Sequence, residues 1–162
     1  RRNITIVALN AEFLKKNWEG IGVKVNIIAL SGQELEGAIK NRNYEAILFG
    51  NVLSRSFDLS SFWHSSERFY PGLNLSLYNS KEADGLIENI RQNLDEEKRM
   101  EQLLELQDVI NDDLPAIFLY SPDYLYVANK TLRGVDGGFI NEPADRFINA
   151  PKWYIKTARV LK

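Results

Sequence analysis

Hydrophobic and polar positions alternate between two periods along the first third of the chain. Asn3 to Leu9 (NITIVAL) is β-branched and apolar, and predicts a buried strand. Asn10 then predicts a helix cap, with Phe13, Leu14, Trp18 and Ile21 recurring on one face and Gly20 and Gly22 ending the helix. Val23 to Ile28 (VKVNII) predicts a second strand. Ser31 and Glu34 have capping-box spacing at the start of a second helix, whose buried stripe is Leu35, Ala38 and Ile39. Tyr44 to Gly50 (YEAILFG) predicts a third strand. Strand, helix, strand, helix, strand with short links reads as two right-handed βαβ units around a parallel sheet.

After Asn79 the period is helical again. Asn79 and Glu82 open a helix lined by Ala83, Leu86, Ile87, Ile90 and Leu94. Asp95 caps another, with Met100, Leu103, Leu104, Gln107 and Ile110 facing inward and Asn111-Asp112-Asp113 closing it ahead of Pro115. Ala116 to Tyr120 and Tyr124 to Ala128 predict two strands, and the remainder, through Phe147, Trp153, Tyr154 and Ile155, reads as a tail packed by its aromatics. The fold class expected is therefore α/β, a βαβαβ parallel-sheet lobe with added C-terminal helices and strands. At 162 residues it is expected to be a single domain over 1–162.

Between the third strand and the third long helix lies Asn51 to Asn79, NVLSRSFDLSSFWHSSERFYPGLNLSLYN, which has neither period. Connections within compact domains run about four to six residues, and long irregular ones are functional or disordered. Phe57, Phe62, Trp63, Phe69, Tyr70 and Tyr78 are too many aromatics for a solvated linker. Aromatic walls among Asn and Ser groups suit a small-molecule or peptide site. The same composition also suits a surface loop folded over the core. Ligands of open parallel sheets bind beyond the carboxyl ends of the strands, and this loop leaves that end of the third. Asn51, Ser54, Arg55, Trp63 and Asn74 are accordingly expected to face a cleft, with Arg55 placed to meet a ligand carboxylate.

Composition narrows the function classes. A net charge of -2 and a pI near 5.5 argue against a nucleic-acid partner. Cys is absent, so there are no disulfides or thiolate metal sites. His64 is the only histidine, and neither a catalytic triad nor an HExxH zinc site has its spacing here. The turn Gly134 to Phe139 lacks the phosphate-loop and dinucleotide spacings. The expectation is a binding module without cofactor, metal or catalytic residues, rather than an enzyme. The abrupt opening Arg1-Arg2-Asn3 suggests a fragment or a processed form.

Several blocks carry a family resemblance: LKKNWEGIGVKVNI (Leu14 to Ile27), NYEAILFGN (Asn43 to Asn51), DLSSFWHSS (Asp58 to Ser66), GLNLSLYNSKEADGLIENIR (Gly72 to Arg91), EKRMEQLLELQDVINDDLPAIFLY (Glu97 to Tyr120) and DRFINAPKWYI (Asp145 to Ile155). In order and spacing the chain resembles the C-terminal lobe of bacterial family 5 extracellular solute-binding proteins, the peptide- and nickel-binding components of ABC importers. The resemblance implies the type II periplasmic-binding-protein fold. It also implies an oligopeptide or other small solute held in a cleft against an N-terminal lobe, delivery to an ABC permease, and an exported location, periplasmic or anchored at the outer face of the membrane. Family peptide binders carry a Trp just after the third strand's Gly and an acid a few residues on that pairs with the ligand's amino group. Here those positions are Asn51 and, for the acid, Leu53 or Ser54. Asp58 matches the Asp of a common Asp-Pro step, with Leu59 in place of Pro. These departures count against an ordinary peptide with a free amino terminus. The short link between Ile6 and Phe13 is a further departure and suggests a trimmed or engineered chain. The alternative reading is a non-catalytic α/β interaction or sensor domain using the aromatic loop 51–79.

Overall fold

The computed structural model describes residues 6–51, 58–135, 140 and 143–155, with side chains from Ala8 onward. The chain divides into two compact units. The first is Arg1–Gly50 with Leu59–Pro115, and the second is Asn51–Asp58 with Ala116–Lys162.

The first unit is helical. Helix α1 spans Ile6–Gly20, so the expected strand over Asn3 to Leu9 is, from Ile6 on, helix, and Asn10 lies inside it rather than capping it. The β-branched run is only four residues long (Ile4 to Val7), whereas Ala8, Leu9, Glu12, Leu14, Lys15 and Lys16 are all good helix formers. An i,i+4 pair, Lys15 to Glu19 at 3.7 Å, adds a little. The helix ends as expected: Gly22 has φ +89°, and the amides of Gly22 and Val23 donate to Glu19 and Trp18 carbonyls. Helix α2 spans Gly32–Asn41 and carries the full capping box, with the Ser31 amide donating to Glu34 at 2.8 Å. That bond holds the Glu34 carboxyl below its ordinary value.

The packed core lies farther on. Helix α3 is one short turn, Ser60–Trp63, and α4 (Lys81–Gln92) and α5 (Glu96–Asp113) form an antiparallel pair. Their facing sides bury Ala83, Ile87, Ile90, Leu106 and Ile110 with Tyr78, and Leu59, Trp63, Leu86, Leu103 and Val109 pack around them. Ser80 caps α4, one residue after the expected Asn79, and the Asp95 carboxylate caps α5 through the amides of Glu97 and Lys98. Leu94 falls beyond the end of α4 and is 94% exposed. Met100, Leu104 and Gln107, expected to face inward, are exposed, and Leu106 takes the central position instead.

The expected parallel sheet is not formed among the described residues. Val23 to Ile28 and Tyr44 to Gly50 carry no strand ladder, nor do Ala116 to Tyr120 and Tyr124 to Ala128. Strand propensity expresses how well a side chain fits a half-buried pleat, so it builds a strand only where a paired neighbour is present. Here Val23, Ile28 and Phe49 remain 46%, 72% and 46% exposed. The sheet that is present belongs to the second unit: β1 (Leu132–Arg133) pairs antiparallel with β2 (Tyr154–Ile155), Leu132 opposite Ile155. Two 3-10 turns, Pro143–Phe147 and Ala150–Lys152, lie between them. Among the described residues no helix is long and apolar enough to cross a membrane.

Candidate functional site

From Leu59 on, the aromatic loop holds two short helical turns, Ser60–Trp63 and Ser65–Glu67, and is otherwise held by hydrogen bonds from side chains to backbone. Asn74, fully enclosed at 0% exposure, is its hub. Its Nδ2 donates to the carbonyls of Tyr78 (2.9 Å), His64 (3.1 Å) and Trp63 (3.4 Å), while its Oδ1 accepts from the Tyr78 amide (3.0 Å) and the Ser76 hydroxyl (3.2 Å). A buried amide side chain with both ends satisfied replaces the ladder that the loop lacks. Asn74 was expected to face a cleft; its polar atoms are instead spent inside the loop.

A second hub approaches from α2. Arg42, in the left-handed conformation at the end of α2 (φ +52°), spreads its guanidinium over three carbonyls: Ile39 at 2.5 Å, Gly72 at 2.7 Å and Arg68 at 2.8 Å. The planar fork of arginine suits such multiple bonding. Tyr44 adds a bond from its hydroxyl to the Leu75 carbonyl at 2.7 Å, and burial pushes its phenol above the ordinary value against the pull of Arg42. Gly72 is where the chain crosses itself, since a Cβ there would lie 2.2 Å from the Glu67 carbonyl oxygen. Only glycine fits.

The loop is tied to the core through Trp63, Tyr78 and the α4 carboxylates. Trp63 is half-buried and meets Tyr78 edge to face, with centroids 6.3 Å apart and planes at 84°. Trp63, also expected to face a cleft, thus packs on the core. The Asp84 carboxylate accepts from the Ser65 amide (2.8 Å) and hydroxyl (2.5 Å). His64 accepts the Ser66 amide at Nδ1 (3.1 Å), which leaves its proton on Nε2, 3.5 Å from Glu88. The histidine therefore caps a turn, and that arrangement needs no chemistry.

Tyr78 donates its hydroxyl to Asp113 at 2.5 Å, joining the loop to the end of α5. Burial, and then this bond, push the Tyr78 phenol above its ordinary value of 10.0. A raised folded-state value favours the protonated form in the native protein. The stability it contributes is present below about pH 10 and lost as pH rises through the higher folded value. Urea unfolding followed from pH 8 upward is expected to show a decline above about pH 10 that the Tyr78→Phe variant largely lacks. An equal decline in both would refute this role.

Of the five residues expected to line the site, Asn51, Trp63 and Asn74 are described. Trp63 and Asn74 come together within the loop's own framework. Asn51 lies in the second unit and is exposed. Ser54 and Arg55 lie outside the described residues. On the loop's outer side Phe69, Tyr70 and Leu73 are exposed, and the Lys40 ammonium sits 4.9 Å above the Tyr70 ring. Sequence reasoning missed Arg42 and Tyr44, whose partners are about 30 positions away and leave no local pattern. Among the described residues no cluster of His, Asp and Glu could hold a metal ion.

No protein-family model matches the chain. Individual proteins do. It is 28% identical over 155 residues to the oligopeptide-binding protein AppA of Bacillus subtilis, covering 96% of this chain and 27% of AppA. It is 24% identical over 133 residues to the probable D,D-dipeptide-binding periplasmic protein DdpA of Escherichia coli, covering 73% of this chain and 25% of DdpA. The structure of AppA in complex with a nonapeptide superposes with a TM-score of 0.69 at 22% identity, over 91% of this chain and 29% of AppA. The fold is shared, and the chain spans about a quarter of the length of these relatives. By sequence the chain is similar to parts of AppA and DdpA, and the similarity runs across the blocks from Leu14 to Ile155 that carry the resemblance.

Proposed function

We propose that this chain, residues 1–162 acting together, is the C-terminal substrate-binding lobe of an ABC-importer solute receptor. It holds an extended ligand, such as an oligopeptide, against an N-terminal lobe and delivers it to a membrane permease. The relationship to AppA along 96% of the chain carries this reading, since AppA is an oligopeptide-binding protein. The location that goes with it is outside the cytoplasmic membrane, as DdpA is described as periplasmic. Both relatives are binding proteins, which supports a non-enzymatic role. Asn51, Ser54 and Arg55 are the side chains assigned to the ligand, and Asn74 and Trp63 fix the loop on which the site depends. In the complete receptor, Val23 to Ile28 and Tyr44 to Gly50 enter a parallel sheet, which covers the apolar side chains now exposed. Mass spectrometry of ligand released from the receptor purified from its native host tests the reading. A small peptide or related solute at near one per receptor supports it, and a protein partner captured instead opposes it.

That opposing outcome has one observation in its favour. Phe69, Tyr70 and Leu73, at 67%, 61% and 44% exposure, give the loop an outward apolar surface of the kind that meets protein partners.

A further inference from the structure

The second unit contains a group of side chains that the receptor reading does not use. Arg146, on the 3-10 turn Pro143–Phe147, lies with its guanidinium carbon 4.5 Å from the centre of the Phe147 ring and 5.7 Å from that of Tyr126. Trp153 packs on the same two rings, stacked with Tyr126 at 6.3 Å and tilted against Phe147 at 5.8 Å. One guanidinium nitrogen, Nη1, donates to the Tyr124 hydroxyl. Two N–H groups in the cluster have no acceptor: Arg146 Nε and Trp153 Nε1, both enclosed. Among the described residues Arg146 also has no ion-pair partner.

Native proteins almost always pair such groups, and a charged donor enclosed without an acceptor is the costliest case. Both orphans here are donors only, and neither arginine nor indole can turn round to accept. What is missing is therefore an acceptor, and next to a guanidinium the best acceptor is an anion of carboxylate geometry. The rings packed or hydrogen-bonded against these two side chains are themselves open to solvent, Tyr126 at 38%, Tyr124 at 39% and Phe147 at 48%. Rotation of such rings uncovers the nitrogens without unfolding the backbone, because exposed side chains change rotamer quickly. We propose that Arg146 and Trp153 form a carboxylate-binding site, walled by Tyr124, Tyr126 and Phe147, which opens by side-chain rotation and pairs both orphan donors with one carboxylate. The site lies wholly within the second unit and does not depend on the receptor reading. The carboxylate comes from a free organic acid or from the carboxyl terminus of a peptide.

Both donors are directly visible by NMR in the nitrogen-15-labelled chain, where loss of a peak in W153F and in R146K identifies each. The probes are acetate, trialanine and trialanine amide. Acetate and trialanine are expected to move the Trp153 Nε1–H and Arg146 Nε–H resonances downfield together, and trialanine amide is expected to move neither. A response to both acids assigns a general carboxylate site, and a response to trialanine alone assigns the site to a peptide terminus. In R146Q the Trp153 resonance is expected to stay put. If R146Q does not fold, R146K serves, since lysine keeps the charge but not the fork, and its Trp153 shift should need at least about tenfold more ligand. Resonances unmoved at carboxylate concentrations on the order of 50 mM, an equal response to the amide, or an unchanged Trp153 response in the Arg146 variant would each overturn the proposal.

Discussion

Asn74→Ala is expected to destabilise the first unit by about 3 kcal/mol, although it removes only a small polar side chain. The substitution orphans the amide and carbonyl of Tyr78, which are buried and bonded to Asn74 at 3.0 and 2.9 Å. Each buried backbone group left unpaired costs about 1–3 kcal/mol, and the vacated space is too enclosed to give water free access. Asn74→Asp is expected to do at least as badly. It keeps the acceptor for the Tyr78 amide but turns the donor end into an oxygen facing the carbonyls of His64 and Tyr78. Urea titration with Trp fluorescence measures both. A loss below about 1 kcal/mol for Asn74→Ala would mean that the loop has another framework.

The second large effect lies in the α4–α5 pair. Leu106 is 1% exposed at the centre of the core, and Leu106→Ala is expected to cost about 3 kcal/mol through lost burial and the cavity left behind. Leu104, two residues earlier and 55% exposed, is expected to change stability by less than about 0.5 kcal/mol when replaced by Ala. The pair tests the rotation of α5 about its axis. Equal losses at the two positions would contradict it.

How far the sequence could be read depends on how local each cause is. The Ser31–Glu34 box and the Asp95 cap were legible because donor and acceptor lie within three residues of each other. The stripe Ala83, Leu86, Ile87 and Ile90 was legible because a helix face repeats in sequence. On α5 the apolar residues Met100, Leu103, Leu104, Leu106, Val109 and Ile110 wrap too far round for one stripe to stand out, so Leu106 was overlooked. Strands are hard to place from sequence for the opposite reason. Ladders are made with distant neighbours, and no single segment such as VKVNII shows whether its neighbour is present. The loop was recognised by its aromatics. The roles within it were not, because Asn74 and Arg42 look like any exposed polar residue until their carbonyl partners, up to about 30 positions away, are seen.

This bears on what the loop does. The loop from Leu59 on is wired by Asn74, Arg42 and Gly72, so on the proposed reading a ligand that meets this part finds a formed surface at little ordering cost. On the proposed reading, however, one lobe covers one side of an extended ligand, whereas good sites bury roughly 70–90% of a small ligand's surface. At about 25 cal/mol per Å², each ~110 Å² of apolar contact that a second lobe would supply is worth about 2.8 kcal/mol, or about 100-fold in affinity.

Calorimetry with one peptide library, applied to this chain and to a two-lobed receptor containing it, tests the half-receptor reading most directly. The expected result is binding by the receptor and at least about 100-fold weaker binding by the chain alone. Equal, tight binding by both would show that the site is complete within these 162 residues, and would contradict the account.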